Sequence, residues 1–168
     1  MTPENKSFRL ALLQMEAVAG DIEANLRVIR AAAFEAAGGG AACLLAPELA
    51  LTGYGAGEAI QTTAKPADGE HVERLQAIAA ETGAAIVAGF AEAADGVVYN
   101  SAVAVTPDGK RHLYRKMHLY GDYEKSLFRP GDTAPPVFRI GGLKAGLVIC
   151  YDVEFPEMVR HLALAGAD

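Results

Sequence analysis

The sequence predicts an α/β layered domain. Short apolar runs alternate with amphipathic stretches of helical period in the first half, turn signals then divide a series of strand-like runs, and no repeat, low-complexity tract or linker splits the chain. With 168 residues, 51% of them hydrophobic, the chain can bury a sizeable core, about 70% of the surface it exposes when unfolded.

Phe8 to Gln14 is a short apolar run suited to a buried strand. Asp21 then offers an N-cap to a helix whose apolar face is Ile22, Leu26, Ile29, Ala33 and Ala36, and Gly38-Gly39-Gly40 stops it. Cys43 to Ala46 reads as a second strand running into Pro47-Glu48, and Gly53, Gly55 and Gly57 make the next segment a loop. From Gly69, the spacing Val72, Leu75, Ile78, Ala79, Thr82 describes a second helix ended by Gly83. Ala85 to Ala91 and Val97 to Thr106 are strands around an Asp95-Gly96 turn, and Pro107-Asp108-Gly109 turns the chain into His112 to Arg115. Lys116 to Asp132 reads as a polar and aromatic connection. Pro136 to Ile140 and Lys144 to Ile149 are strands around Gly141-Gly142, and Pro156 opens a last helix with Met158, Leu162 and Ala165 on one face.

The formal charge of -6, without a Lys/Arg run, offers nothing to phosphate backbones or anionic lipid, so neither nucleic acid nor a membrane surface is an expected partner. The apolar stretch near the N-terminus is too short for a signal sequence core or a membrane span, which makes a cytoplasmic location the expectation. Asn5-Lys6-Ser7 matches a glycosylation sequon, read as chance in that compartment. Cys43 and Cys150 are far apart, with no Cys or His at ligand spacing, so neither a disulfide framework nor a metal site is signalled.

Glu48, Lys116 and Cys150 each follow an apolar run at its carboxyl end, where side chains in open α/β sheets converge on a ligand crevice. Cys43, inside its strand, reads as core. Cys150 is either a core thiol or a nucleophile: an apolar strand, a sharp turn and a helix opened by Pro156 leave it near free backbone N–H groups. A free thiol is only about 3% thiolate at neutral pH, so a catalytic one needs a base or a cation. His118 could be that base by spacing, and a desolvated Glu48 could replace it. Lys116 could be solvated surface charge, or it could lower the thiol pKa and hold an oxyanion.

Three stretches, Pro47-Glu48-Leu49-Ala50-Leu51-Thr52-Gly53-Tyr54, Tyr114-Arg115-Lys116-Met117-His118-Leu119 and Ile149-Cys150-Tyr151-Asp152 with Phe155-Pro156-Glu157, resemble the catalytic blocks of the carbon-nitrogen hydrolase (nitrilase) superfamily, in its order. Tyr99-Asn100-Ser101, Pro107-Asp108-Gly109, Glu124 and Phe128-Arg129-Pro130-Gly131-Asp132 are similar to the family as well. Within the superfamily, the stretches around Lys116 and Cys150 look most like aliphatic amidases of the 5-aminopentanamidase and R-stereoselective type.

The resemblance implies a four-layer α-β-β-α sandwich, of which residues 1–168 would form a single domain lacking its C-terminal third. It makes Glu48 the general base, Lys116 the oxyanion and orientation cation, Cys150 the nucleophile and Glu124 a second glutamate that positions substrate and water. The Tyr151 backbone N–H becomes the other oxyanion donor, Tyr54 and Tyr151 become substrate-binding, and His118 a structural neighbour. The reaction implied is hydrolysis of a small aliphatic amide through a thioester, with no metal or cofactor, by a homo-oligomer. Nitrile and N-carbamoyl hydrolysis share the triad, and a non-catalytic truncated or interaction polypeptide is the reading from another class. A redox or metal-binding protein would need the resolving cysteine or ligand cluster that the sequence lacks.

Overall fold

The computed structural model describes residues 8–168; the sequon Asn5-Lys6-Ser7 lies outside them. Strands β1 (Leu10–Leu12), β2 (Cys43–Leu45) and β3 (Ala85–Ala94) run parallel, and β3, β4 (Val97–Val105) and β5 (Arg111–Arg115) form an antiparallel meander, giving one sheet in the order β1-β2-β3-β4-β5. The parallel steps need crossovers, supplied by α1 (Ile22–Gly38) and by α3 (Glu70–Thr82) with the short α2 (Ala59–Thr63) before it.

Period-two alternation sorts the sheet's side chains onto two faces. Leu44, Ile86, Ala88, Phe90, Val103 and Val105 meet Leu26, Ile29 and Ala33 of α1 and Val72, Leu75, Ile78 and Ala79 of α3. Each large side chain buried there contributes about 1.5–3 kcal/mol of transfer free energy before entropy is counted. On the other face, Cys43, Ala85, Val87, Ala102 and Ala104 pack on Phe138 and Ile140 of the hairpin β6 (Val137–Ile140) and β7 (Leu143–Gly146), with Leu147 and Ile149 just after the hairpin and Met158 of α5 (Pro156–Leu164). The layers therefore run α, β, β, α, as the resemblance implies.

Local chemistry explains the boundaries. The Asp21 carboxylate accepts the Ala24 N–H at 2.9 Å and starts α1, and Gly83, at φ 72°, ends α3 in the left-handed conformation that glycine adopts without penalty. The Asp95-Gly96 hairpin extends β3 three residues past the sequence-based end at Ala91, because each residue up to Ala94 keeps a partner on β4.

Other features differ from expectation: the first strand is only Leu10–Leu12, with Leu10 and Leu12 exposed and not buried. The last strand stops at Gly146, not Ile149: its partner β6 begins at Val137, behind Pro135 and Pro136, which have no N–H to extend the ladder. Two short helices, α2 and α4 (Gly121–Leu127), occupy segments read as loop and connection. Both are far below the length at which a helix is stable alone, so tertiary contacts hold them. A 3-10 turn, Cys150–Glu154, separates the β layer from α5. Among the described residues, no helix is long and apolar enough to cross a membrane.

Candidate active site

Glu48 lies just beyond β2 and Lys116 just beyond β5, two strands that point the same way, so both side chains emerge at one end of the sheet. A small cluster of Leu49, Ile60, Ala91, Val98, Leu119 and Phe128 fixes the loops beneath them. Two glycines allow the close approach. A Cβ on Gly89 of β3 would stand 2.8 Å from the Glu48 Cα, and one on Gly131 would stand 2.8 Å from the Arg115 Cβ, next to Lys116. Gly89 N–H donates to the Pro47 carbonyl at 3.1 Å, and Gly131 N–H donates to the Lys116 carbonyl at 2.8 Å.

The Lys116 ammonium, fully buried, donates to Glu48 Oε1 at 2.7 Å and to Glu124 Oε1 at 2.8 Å. Burial pushes its pKa down, but the two carboxylates outweigh that and hold it above the ordinary lysine value. An ammonium has three N–H donors, and the third has no partner among the described residues. Glu124, also fully buried, accepts the Tyr54 hydroxyl at 2.9 Å on Oε1 and the Tyr120 N–H at 2.8 Å on Oε2. These bonds tie α4 to the site and account for a helix that propensity alone would not form.

Cys150 is exposed at the first position of the 3-10 turn with φ 46°, a left-handed conformation that is strained for a residue with a Cβ. Asp152 holds that turn from below. Its buried carboxylate accepts the Tyr114 hydroxyl at 2.8 Å, the His118 N–H at 2.9 Å and the Ile149 N–H at 3.4 Å, with His118 Nδ1 at 2.8 Å. The nucleophile's turn is thereby tied to the segment that carries Lys116. His118 belongs to this brace, stacked on Phe155 with centroids 3.6 Å apart.

Sequence reasoning allows Lys116 to lower the thiol pKa; the balance here goes the other way. Burial raises the Cys150 thiol and the Glu48 charge adds to it, while Lys116 and the Tyr151 N–H only partly offset them. The sulfur therefore carries its proton at neutral pH. Cys43 lies in the core, and burial pushes its thiol up to about 11.

The mouth of the site is aromatic. Tyr54 and Tyr120 are exposed, Tyr120 meets Tyr151 edge-on at 5.2 Å, and Tyr151 meets Phe155 in the same manner at 5.2 Å. An apolar cavity of about 480 Å³, lined by Leu45, Val87, Ala102, Leu147 and Ile149 among others, adjoins Glu48 and Cys150 between the two β layers.

Every site residue singled out in the sequence is gathered here: Glu48, Tyr54, Lys116, Glu124, Cys150 and Tyr151. Two more join them to which the sequence assigns no role. Asn100 donates to Glu48 Oε1 at 2.6 Å, and its place in the family-like stretch Tyr99-Asn100-Ser101 is the signal for it. Asp152, two residues after the cysteine, lies in the family-like stretch Ile149-Cys150-Tyr151-Asp152, but its spacing alone gives it no task.

Comparison with known proteins bears on the family of the chain. The carbon-nitrogen hydrolase family model matches residues 9–168. An (R)-stereoselective amidase of a Pseudomonas species is 39% identical over 96% of this chain and 58% of its own length. A nitrilase of Pyrococcus abyssi is 45% identical over 80% of this chain and 52% of its own. Among solved structures, the amidase of Nesterenkonia sp. AN1, as a double mutant in complex with acrylamide, superposes with a TM-score of 0.89 at 35% identity, covering 100% of this chain and 65% of its own. Another structure of that amidase shows Michael addition of acrylamide at its active-site cysteine. The chain thus spans less than two thirds of the length of the relatives it matches.

Proposed function

We propose, from the premise that this chain belongs to the carbon-nitrogen hydrolase family, that it hydrolyses a small aliphatic amide to a carboxylic acid and ammonia through a cysteine thioester. The observation that carries this reading is the buried Lys116 ammonium held between Glu48 and Glu124, with an exposed thiol on a strained turn at the same site.

Each group then has one task. A thiol that keeps its proton must lose it as it attacks, so Glu48 accepts that proton while Cys150 Sγ bonds to the amide carbon. Negative charge collects on the former carbonyl oxygen, where the third N–H of Lys116 and the Tyr151 N–H receive it; one such donor lowers a barrier by about 3 kcal/mol. Glu48 passes its proton to the nitrogen, the carbon–nitrogen bond breaks, ammonia leaves and the acyl group remains on sulfur. Glu48 next takes a proton from water, the resulting hydroxide attacks the thioester, and the thiol leaves with that proton restored. Glu124 fixes Lys116 through a second ion pair and helps place substrate and water. The aromatic mouth offers apolar surface to a short acyl chain, with Tyr54 and Tyr151 as substrate contacts.

The similarity to a Pyrococcus nitrilase favours a second reading, hydrolysis of a nitrile, and N-carbamoyl amines would use the same machinery. Ammonia release from short aliphatic amides, nitriles and N-carbamoyl amines, assayed side by side with the parent protein and Cys150→Ala, separates these. Release from amides that vanishes in the variant is the expected result. Consumption of nitriles alone would move the assignment to that class, and undiminished release by Cys150→Ala would sink both. Light scattering on the eluted protein tests the accompanying expectation of a homo-oligomer.

A further inference from the structure

A carboxylate that serves as a base must present one particular oxygen to the proton it takes. Glu48 Oε1 already accepts two donors, Lys116 Nζ at 2.7 Å and Asn100 Nδ2 at 2.6 Å, and Oε2 has no hydrogen-bond partner among the described residues. Lys116 alone would not fix the carboxylate, because rotation about the last bond of Glu48 could offer it either oxygen. The second donor, arriving from a different strand, removes that freedom.

That donor sits on a rigid support. Asn100 is buried on β4, paired with Ala91 of β3 on one side, and its backbone carbonyl accepts the Lys116 N–H at 2.8 Å on the other. Its side-chain oxygen is buried with no partner among the described residues, an arrangement that costs free energy. The amide cannot relieve this by flipping, since its oxygen would then face the Glu48 carboxylate. An orphaned carbonyl is thus tolerated so that an N–H can reach Glu48.

We infer that Asn100 is the positioning residue of the base: with Lys116 it saturates Oε1 of Glu48 and so dedicates Oε2 to the Cys150 proton. This rests on the reading of Glu48 as general base. The ionisable groups around Glu48 are Lys116 beyond β5, Cys150 on its turn, Tyr54 in the loop before α2 and, past Lys116, Glu124 on α4.

The test is the pH profile of kcat and kcat/KM for Asn100→Leu, which keeps the volume and deletes the donor, and for Asn100→Asp, which keeps the shape and brings a carboxylate against Glu48. Loss of the donor should lower kcat about ten- to hundredfold with KM unchanged, the usual size for a hydrogen bond to a charged group. It should also move the acidic limb to higher pH, because the charged form of the base has lost a partner. In Asn100→Asp the limb should move further, by about one pH unit or more beyond the parent, since two touching carboxylates share a proton. The limb's midpoint does not depend on how much of a variant is folded, so poor folding cannot mimic the result. A parental limb in both variants, with activity lowered in proportion to folded protein, would overturn the proposal and make Asn100 structural. Glu48→Gln serves as the separate control: undiminished turnover there would reject the base itself, whatever the Asn100 variants do.

Discussion

Replacing Lys116 with methionine keeps the length of the side chain and removes its charge. Glu124, fully buried, would keep only the Tyr54 hydroxyl and the Tyr120 N–H, and Glu48 only the Asn100 amide. Breaking a buried ion pair from one side costs about 3–5 kcal/mol, because the remaining charge is left uncompensated. For a chain of 168 residues each kcal/mol moves the midpoint roughly 2–4 °C, so Lys116→Met should melt about 10 °C lower. The pH dependence carries the diagnosis. Lys116 has a native pKa raised above its unfolded value, so its contribution to the parent is complete below the ordinary lysine value and is lost only as pH rises through the raised one. Between pH 5 and 8 the parent therefore gains or loses nothing from Lys116. The variant instead holds two carboxylates that take up a proton more readily folded than unfolded, so its deficit should shrink as pH falls from 8 to 5. Urea unfolding followed by circular dichroism at both values measures this. Adding Glu124→Gln should cost less in the Lys116→Met background than in the parent, or even stabilise it. A deficit below about 1 kcal/mol, the scale of a surface pair, or equal deficits at both pH values, would refute the claim that one cation holds two carboxylates together.

Iodoacetamide should label Cys150 and leave Cys43 untouched, at a rate that climbs with pH past the ordinary thiol range, since both thiols are raised and only one is exposed; peptide mapping checks both. Asp152→Asn should cost about 2–3 kcal/mol in urea unfolding and slow the alkylation of Cys150, because the turn loses the charged acceptor that ties it to Tyr114 and His118. Gly89→Ala should destabilise by about 1–3 kcal/mol and lower kcat more than KM, as the new methyl displaces the backbone of Glu48 and Leu49.

Most of this fold is legible in the sequence because its signals are local and reinforce each other. Asp21 caps where a cap is expected, Gly83 stops α3, and Asp95-Gly96 turns the hairpin with both residues at positive φ. Three polar residues after apolar runs are enough to place Glu48, Lys116 and Cys150 at one end of the layers. The features that escape are decided by tertiary contacts. Gly121–Leu127 carries too little periodicity to announce a helix, and it forms because Glu124 is drawn under Lys116. His71 on α3 is buried with Nε2 2.8 Å from the Thr63 carbonyl, joining α3 to α2, a contact that no local signal announces. The direction of the Cys150 shift is also out of reach, since it depends on a balance between burial, Glu48 and Lys116 that spacing does not fix.

The central claim is that Cys150 carries the acyl group. The protein, mixed with a short aliphatic amide and quenched in acid during turnover, should yield by mass spectrometry a peptide containing Cys150 heavier by the acyl mass, with the Cys43 peptide unmodified and no adduct in Lys116→Met. Acyl mass on Cys43, or ammonia release that persists in Cys150→Ala, would contradict the account.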